Sequence, residues 1–195
     1  KPIEVGGWTL AMKDATLAEK TPVKSKTALS VRRLTVGASG GAELRSSSGD
    51  PVVVCAAGSV IEFVETPEGG TRVRLVSGEL YTQSAAVPVP YELEVNGARL
   101  IVRDGAQCLV RVGASDVATI ETKAGVVDAG WDNVPRRLGA ASVCMIDAKG
   151  VVSTPRSTAA PDALAESLRA FDAVRSVAMK DETPRMDALN AILRN

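Results

Sequence analysis

YELEVNGARLIVR, residues 91–103, decides how this chain folds. Tyr91, Leu93 and Val95 alternate with Glu92 and Glu94, so one side of the segment is apolar and the other acidic. A strand sends successive side chains to opposite faces, and a period of two fits a half-buried strand rather than a helix. Asn96-Gly97 supplies the dipeptide that best accepts a tight hairpin turn. The apolar run at residues 99–103 is then the returning strand.

The same grammar extends outward in both directions. Upstream, Val73 and Leu75 alternate with Arg72 and Arg74 in TRVRLV (71–76), and Gly78 closes that strand before ELYTQ (79–83) resumes. PVVVC (51–55) and VIEFV (60–64) read as strands, as do residues 8–12 and 29–36. Gly37, Gly40 and Gly41 break the latter before residues 42–46 continue. Downstream, residues 107–112, 117–121, 126–129 and 141–146 follow, each bounded by Gly, Asp or Asn. A spacing of roughly eight to twelve residues predicts a sandwich, barrel or roll rather than βαβ units. The expected fold is mostly β: a two-layer β-sandwich or a short β-roll or solenoid.

The texture changes after residue 153. Residues 154–160 are rich in Ser, Thr, Ala and Pro and read as a linker. Pro161 suits the first position of a helix and Asp162 its positive end. Leu164, Leu168, Phe171, Val174 and Ala178 fall on one helical stripe, interrupted by Arg175. Thr183-Pro184 starts a second short helix carrying Met186 and Leu189. The expected organisation is a β-domain over 1–153, a linker over 154–160 and a two-helix tail over 161–195. Two short helices are marginal alone and must pack on something. Their own β-domain, a partner protein or a second copy of the chain all qualify. Leu164, Leu168 and Phe171 are the candidate interaction residues.

Composition narrows the chemistry. The chain has no histidine, which is the usual general base near neutral pH and the commonest metal ligand. Ser-His-Asp and Cys-His nucleophile systems and His-containing zinc sites therefore fall away. Ser59, Ser77 and Ser84 have no nucleophile-elbow context. The carboxylates Glu62 with Glu65, and Glu92 with Glu94, are candidate pairs, but they look like parts of solvated faces, and a glycosidase cleft also needs aromatic platforms. Aromatics make up only 3% of the chain. Gly37-Ala-Ser-Gly-Gly41 lacks the GK[ST] ending of a phosphate-binding loop and reads as a plain turn.

Cys55, Cys108 and Cys144 sit in apolar runs without a CxxC pair, and read as buried free thiols rather than zinc or redox ligands. Lys+Arg and Asp+Glu balance at 23 each, so nothing favours nucleic acid or an anionic membrane. A local group of Lys20, Lys24, Lys26, Arg32 and Arg33 reads as a solvated face. No cofactor and no catalytic residue is expected.

Several stretches resemble the FecR domain. They are GSVIEF (58–63), TRVRLVSGELYTQ (71–83), PYELEVNGARLIVRDGAQCLVRV (90–112), ATIETKAGVVDA (118–129) and RRLGAASVCMIDAKGVV (136–152). The likeness covers residues 30–152. It departs where the family's Gly-Thr step is Gly105-Ala106 and the aromatic that follows is Cys108. The resemblance implies a non-catalytic, extracytoplasmic sensing module, periplasmic or cell-surface, anchored by a membrane helix upstream of this sequence. It would act by contact with a protein of the cell envelope, and its namesakes pass signals to a sigma factor. The alternative is a small-ligand or carbohydrate-binding β-module, for which Trp8, Tyr81, Tyr91 and Trp131 are the available platforms.

Overall fold

A computed structural model describes residues 3–20, 30–46, 52–66, 69–84, 91–103, 105–130 and 135–157. It is all strand and turn: the mostly-β expectation holds, and the expected helical tail lies outside the described residues.

The strands form one hydrogen-bonded network that folds over into two layers. Three strands belong to both. They are β2 (Trp8–Lys20), β3 (Ser30–Ser46) and β6 (Thr71–Gln83). Residues 30–35 of β3 pair with β5 (Val60–Glu65), whereas residues 42–45 pair with β4 (Val52–Cys55). Strand β6 divides likewise. Residues 71–77 pair with β5 and, in parallel, with β7 (Tyr91–Val95); residues 78–83 pair with β4 and β9 (Gln107–Val112).

The first layer continues from β7 through β8 (Ala98–Val102) and β11 (Val127–Gly130) to β12 (Arg136–Leu138). In the second layer, β1 (Ile3–Val5) lies on β2 at one side. At the other, β9 leads through β10 (Ala118–Ala124) and β13 (Ser142–Ile146) to β14 (Arg156–Ser157). The sheet thus runs past residue 153, into the stretch expected to be linker.

The bends explain why the sequence looked like more and shorter strands. Gly37–Gly41 and Gly78 do not end strands; they turn them from one layer into the other. Strands that switch sheets at a bend are a recognised way to build a sandwich corner. At the first bend, Asp14 alone faces the four residues between Val36 and Gly41, and the Ser39 N–H donates to the Asp14 carboxylate at 3.3 Å. A side chain at Gly40 would run into the carbonyl oxygens of Lys13 and Asp14. At the second, Gly78 has φ +87, and a Cβ there would lie 2.6 Å from Ser59 Cα. Only glycine fits both demands.

The core fills the space between the layers. Leu34, Ile61, Phe63, Val73, Leu75, Leu93 and Leu100 from the first meet Leu10, Leu44, Leu80, Val110 and Ile120 from the second in one cluster. Aliphatic side chains dominate, as the scarcity of aromatics requires. Trp8 of the second layer and Tyr91 of the first close one end edge-to-face, with ring centroids 6.4 Å apart. Asn96 ties the layers together elsewhere. Its Nδ2 donates to the Asp116 carbonyl at 2.6 Å and to the Ile146 carbonyl at 3.3 Å. Cys55, Cys108 and Cys144 are free and buried. Burial pushes the Cys108 thiol up to about 12 and the Cys144 thiol to about 11, and raises Cys55 further, so none is a ready nucleophile.

Candidate interaction site

Each layer turns a second face outward, and neither is an ordinary wet sheet surface. On the first layer, alternation places Arg33, Glu62, Arg74, Glu94 and Arg99 in one cross-strand row. They form a continuous ladder of ion pairs. Arg33 reaches Glu62 at 2.6 Å, and Arg74 reaches Glu62 at 3.2 Å and Glu94 at 2.6 Å. Arg72 adds Glu94 at 3.2 Å, and Arg99 pairs with Glu92. Further along, Asp128 takes Arg103 on one carboxylate oxygen at 2.6 Å and Arg137 on the other at 3.1 Å.

Glu62, Glu94 and Asp128 are only 3%, 7% and 2% exposed. The solvated reading of Glu62 and Glu94 is therefore corrected: each of these three carboxylates receives a guanidinium on both oxygens. That double pairing compensates the desolvation that would otherwise penalise a buried carboxylate. Burial works to lower the Arg74 pKa, but hydrogen bonds and charge from Glu94, then Glu62, outweigh it and raise it. At Asp128 burial pushes upward, yet Arg137 and Arg103 hold the carboxyl below its ordinary value. Glu62 and Glu94 flank Arg74 and do not face a common cleft, so they are poorly placed as an acid–base pair. The paired Glu62 and Glu65 of the sequence, three apart on a strand, fall on opposite faces.

On the second layer the outward face carries a small apolar cluster instead. Val54, Tyr81 and Leu109 stand directly opposite one another on β4, β6 and β9, with Val52 and Ala56 packed beside them. They are 2%, 4% and 0% exposed. Glu43, bonded to Arg45, and Glu121, bonded to Arg111, flank the cluster at the same level.

The third feature is an edge. Residues 15–20 of β2 border the first layer, and among the described residues no strand pairs with their outer side. Thr16, Ala18 and Glu19 are exposed, while Ala15 and Leu17 lean on the core. Six residues make a free edge of about 20 Å. The other edges, β1, β12 and β14, are two or three residues long.

Among the residues picked from sequence, Leu164, Leu168 and Phe171 lie outside the described residues, as does Trp131. Trp8, Tyr81 and Tyr91 are buried, so three of the four aromatics offered as carbohydrate platforms have no accessible face. The small-ligand or carbohydrate-binding alternative is therefore left without an accessible aromatic platform among the described residues. The ion-pair ladder was missed, although RVR at 72–74 and ELE at 92–94 are complementary patterns. Recognising them as partners requires knowing that β6 and β7 lie side by side. Among the described residues no group of three or more Cys, Asp or Glu could hold a metal, and no helix is long and apolar enough to cross a membrane.

These features define a two-layer β-sandwich with one charged outer face, one outer face carrying a small apolar cluster and, among the described residues, one open edge. Solved structures with the same fold exist. Two crystal structures of a provisionally assigned anti-sigma factor from Parabacteroides distasonis, at 2.50 and 1.65 Å, align with TM-scores of 0.54 and 0.53. Each is 17% identical; the match takes in 69% of this chain and 63% or 64% of the other, so the chain spans less than two thirds of its neighbours' length. No protein-family model and no curated protein sequence matches the chain.

Proposed function

We propose that this chain is a non-catalytic, FecR-like interaction module of a signalling protein that regulates a sigma factor through contact with a protein partner. The observation that carries the reading is the open edge at residues 15–20, the one long strand edge left unpaired among the described residues. An extended segment of a partner adds to such an edge through main-chain hydrogen bonds, with side-chain pockets supplying specificity. The fold shared with a provisionally assigned anti-sigma factor supports the regulatory half of the proposal. The absence of histidine and the neutralised state of the buried carboxylates support the non-catalytic half.

The module sits outside the cytoplasm, in the periplasm or at the cell surface, held by a membrane helix upstream of Lys1, and its partner is an envelope protein. The FecR-like stretches over 30–152 motivate this placement.

A photo-crosslinker at Ala18 of the full-length protein in its native cells tests the contact. The expected product is a crosslink to one envelope or regulatory protein, lost on Thr16→Pro and retained on Val151→Asp. Recovery of the same partner through Val151 and not through Ala18 would overturn strand addition. A phosphatase fusion after Ser157 tests the location: activity in the cytoplasm alone refutes it.

A further inference from the structure

The chain as a whole is electrically balanced, but the outward face of the first layer is not. Its strands alternate in sign across the sheet, in the order β3, β5, β6, β7, β8, β11, β12. Arginines stand on β3 (Arg33), β6 (Arg72 and Arg74), β8 (Arg99, with Arg103 just past its end) and β12 (Arg137). The strands between them carry the carboxylates: Glu62 on β5, Glu92 and Glu94 on β7, and Asp128 on β11. An alternation that begins and ends on a cationic strand leaves a cationic surplus, here six guanidiniums to four carboxylates among the described residues. Depth adds to it. The six arginine side chains are 32–69% exposed, whereas those of Glu62, Glu94 and Asp128 are 9% exposed or less, with only Glu92 at 36%. Cations outside and anions beneath give this face a positive surface potential.

We propose that this face docks an acidic segment of a partner protein, laid across the strands. The spacing favours such a segment over other polyanions. Cationic strands recur at every second strand, about 10 Å apart. An extended peptide covers that distance in roughly three residues, so carboxylates at every third position meet successive arginine strands. Phosphates follow one another at about 3.4 Å along a nucleic-acid strand, too densely for these rows. From Arg33 on β3 to Arg137 on β12 is six strand spacings, roughly 29 Å, which about ten extended residues span. A guanidinium carries five N–H groups in a planar fork, so pairing within the sheet leaves donors for a second carboxylate. Arg137, the most exposed of the six, commits its Nε to Asp128 at 3.1 Å. The surface is distinct from the open edge of β2, and the inference does not need strand addition at that edge.

The test uses the full chain and a fluorescein-labelled peptide of about ten residues with glutamate at every third position, followed by fluorescence anisotropy. Binding is expected, weakening as salt rises. Arg99→Gln with Arg137→Gln is expected to weaken it about tenfold. Lys149→Gln with Arg156→Gln removes the same charge from exposed positions of the second layer and is expected to leave it unchanged. No binding at protein concentrations up to about 1 mM, an equal loss in both variants, or equal binding of the lysine version of the peptide would each overturn the proposal. So would tighter binding to phosphatidylglycerol vesicles or to a DNA duplex than to the peptide. A diazirine in the peptide gives a measure that needs no variant: crosslinks are expected at residues 72–76, 99–103 or 136–138 of the wild-type chain, and crosslinks confined to the second layer refute the proposal. If the urea midpoint shows that Arg99→Gln with Arg137→Gln has unfolded, the crosslink decides. Failure of the Ala18 crosslink to a partner leaves this result standing, because the peptide needs no free strand edge.

Discussion

The two outer faces of this sandwich solve one problem in opposite ways. Both are screened from water, but the first layer screens itself. Arginines from β3, β6 and β8 pair with carboxylates on β5 and β7, and the ladder is complete within the sheet. The second layer places Val54, Tyr81 and Leu109 outward, with Val52 and Ala56 packed beside them. A face built of long charged side chains hides its carboxylates by pairing them; a face built of apolar ones hides its side chains by packing.

The comparison breaks most readily at Leu109. Truncation to Ala removes a fully buried side chain and should cost about 2–5 kcal/mol, measured by urea unfolding, with little dependence on salt. A cost under about 0.5 kcal/mol would mean the face is not packed as described. Gly78→Ala affects both faces at once, because the bend in β6 joins the layers. The positive φ alone should cost about 1–3 kcal/mol, and contact with Ser59 adds to it. A neutral effect would show that the corner can relax.

Glu62→Gln sharpens the contrast from the charged side. It keeps the shape but takes the charge from between Arg33 and Arg74, whose side chains are partly exposed. The expected loss is about 1–2 kcal/mol, discounted for solvent screening and smaller again in high salt. A loss that does not change with salt would count against an electrostatic wall. The smallest effect concerns pH. Asp128 has a folded pKa held below its ordinary value of 3.8, so its pairing stabilises the fold above that value. The contribution is lost as pH falls through the depressed folded value. The stability gap between wild type and Asp128→Asn should therefore narrow in acid, read as converging urea midpoints; a gap that widens would reverse the assignment.

Much of this was legible from residues alone. Val73 and Leu75 against Arg72 and Arg74 gave the two faces of a strand, and Asn96-Gly97 gave its hairpin, because alternation and turn chemistry are local. The three thiols read as buried from their apolar neighbours, and they are. Gly78 and Gly37–Gly41 were misread as ends because a glycine that terminates a strand and one that bends it look alike. The difference lies in what comes near: Ser59 in one case, Lys13 and Asp14 in the other. Glu94 was misread for a similar reason. Next to Glu92 it looks like a wet residue, and only the parallel placement of β7 on β6 brings Arg72 and Arg74 over it.

That parallel pair has its own cause. Parallel neighbours need a long crossover, yet only residues 84–90 separate β6 from β7. Residues 78–83 serve as the crossover, since they leave the first layer at the bend and return the chain through the second. The sequence by itself determined which side of each strand is apolar, where the tight turns fall and that no histidine chemistry is available. These depend on one residue and its immediate neighbours. Tertiary structure alone decided which strands share a layer, and hence that one outer face is a closed ladder and the other carries an apolar cluster. Those are properties of pairs far apart in the chain, brought together by a corner that only glycine can turn.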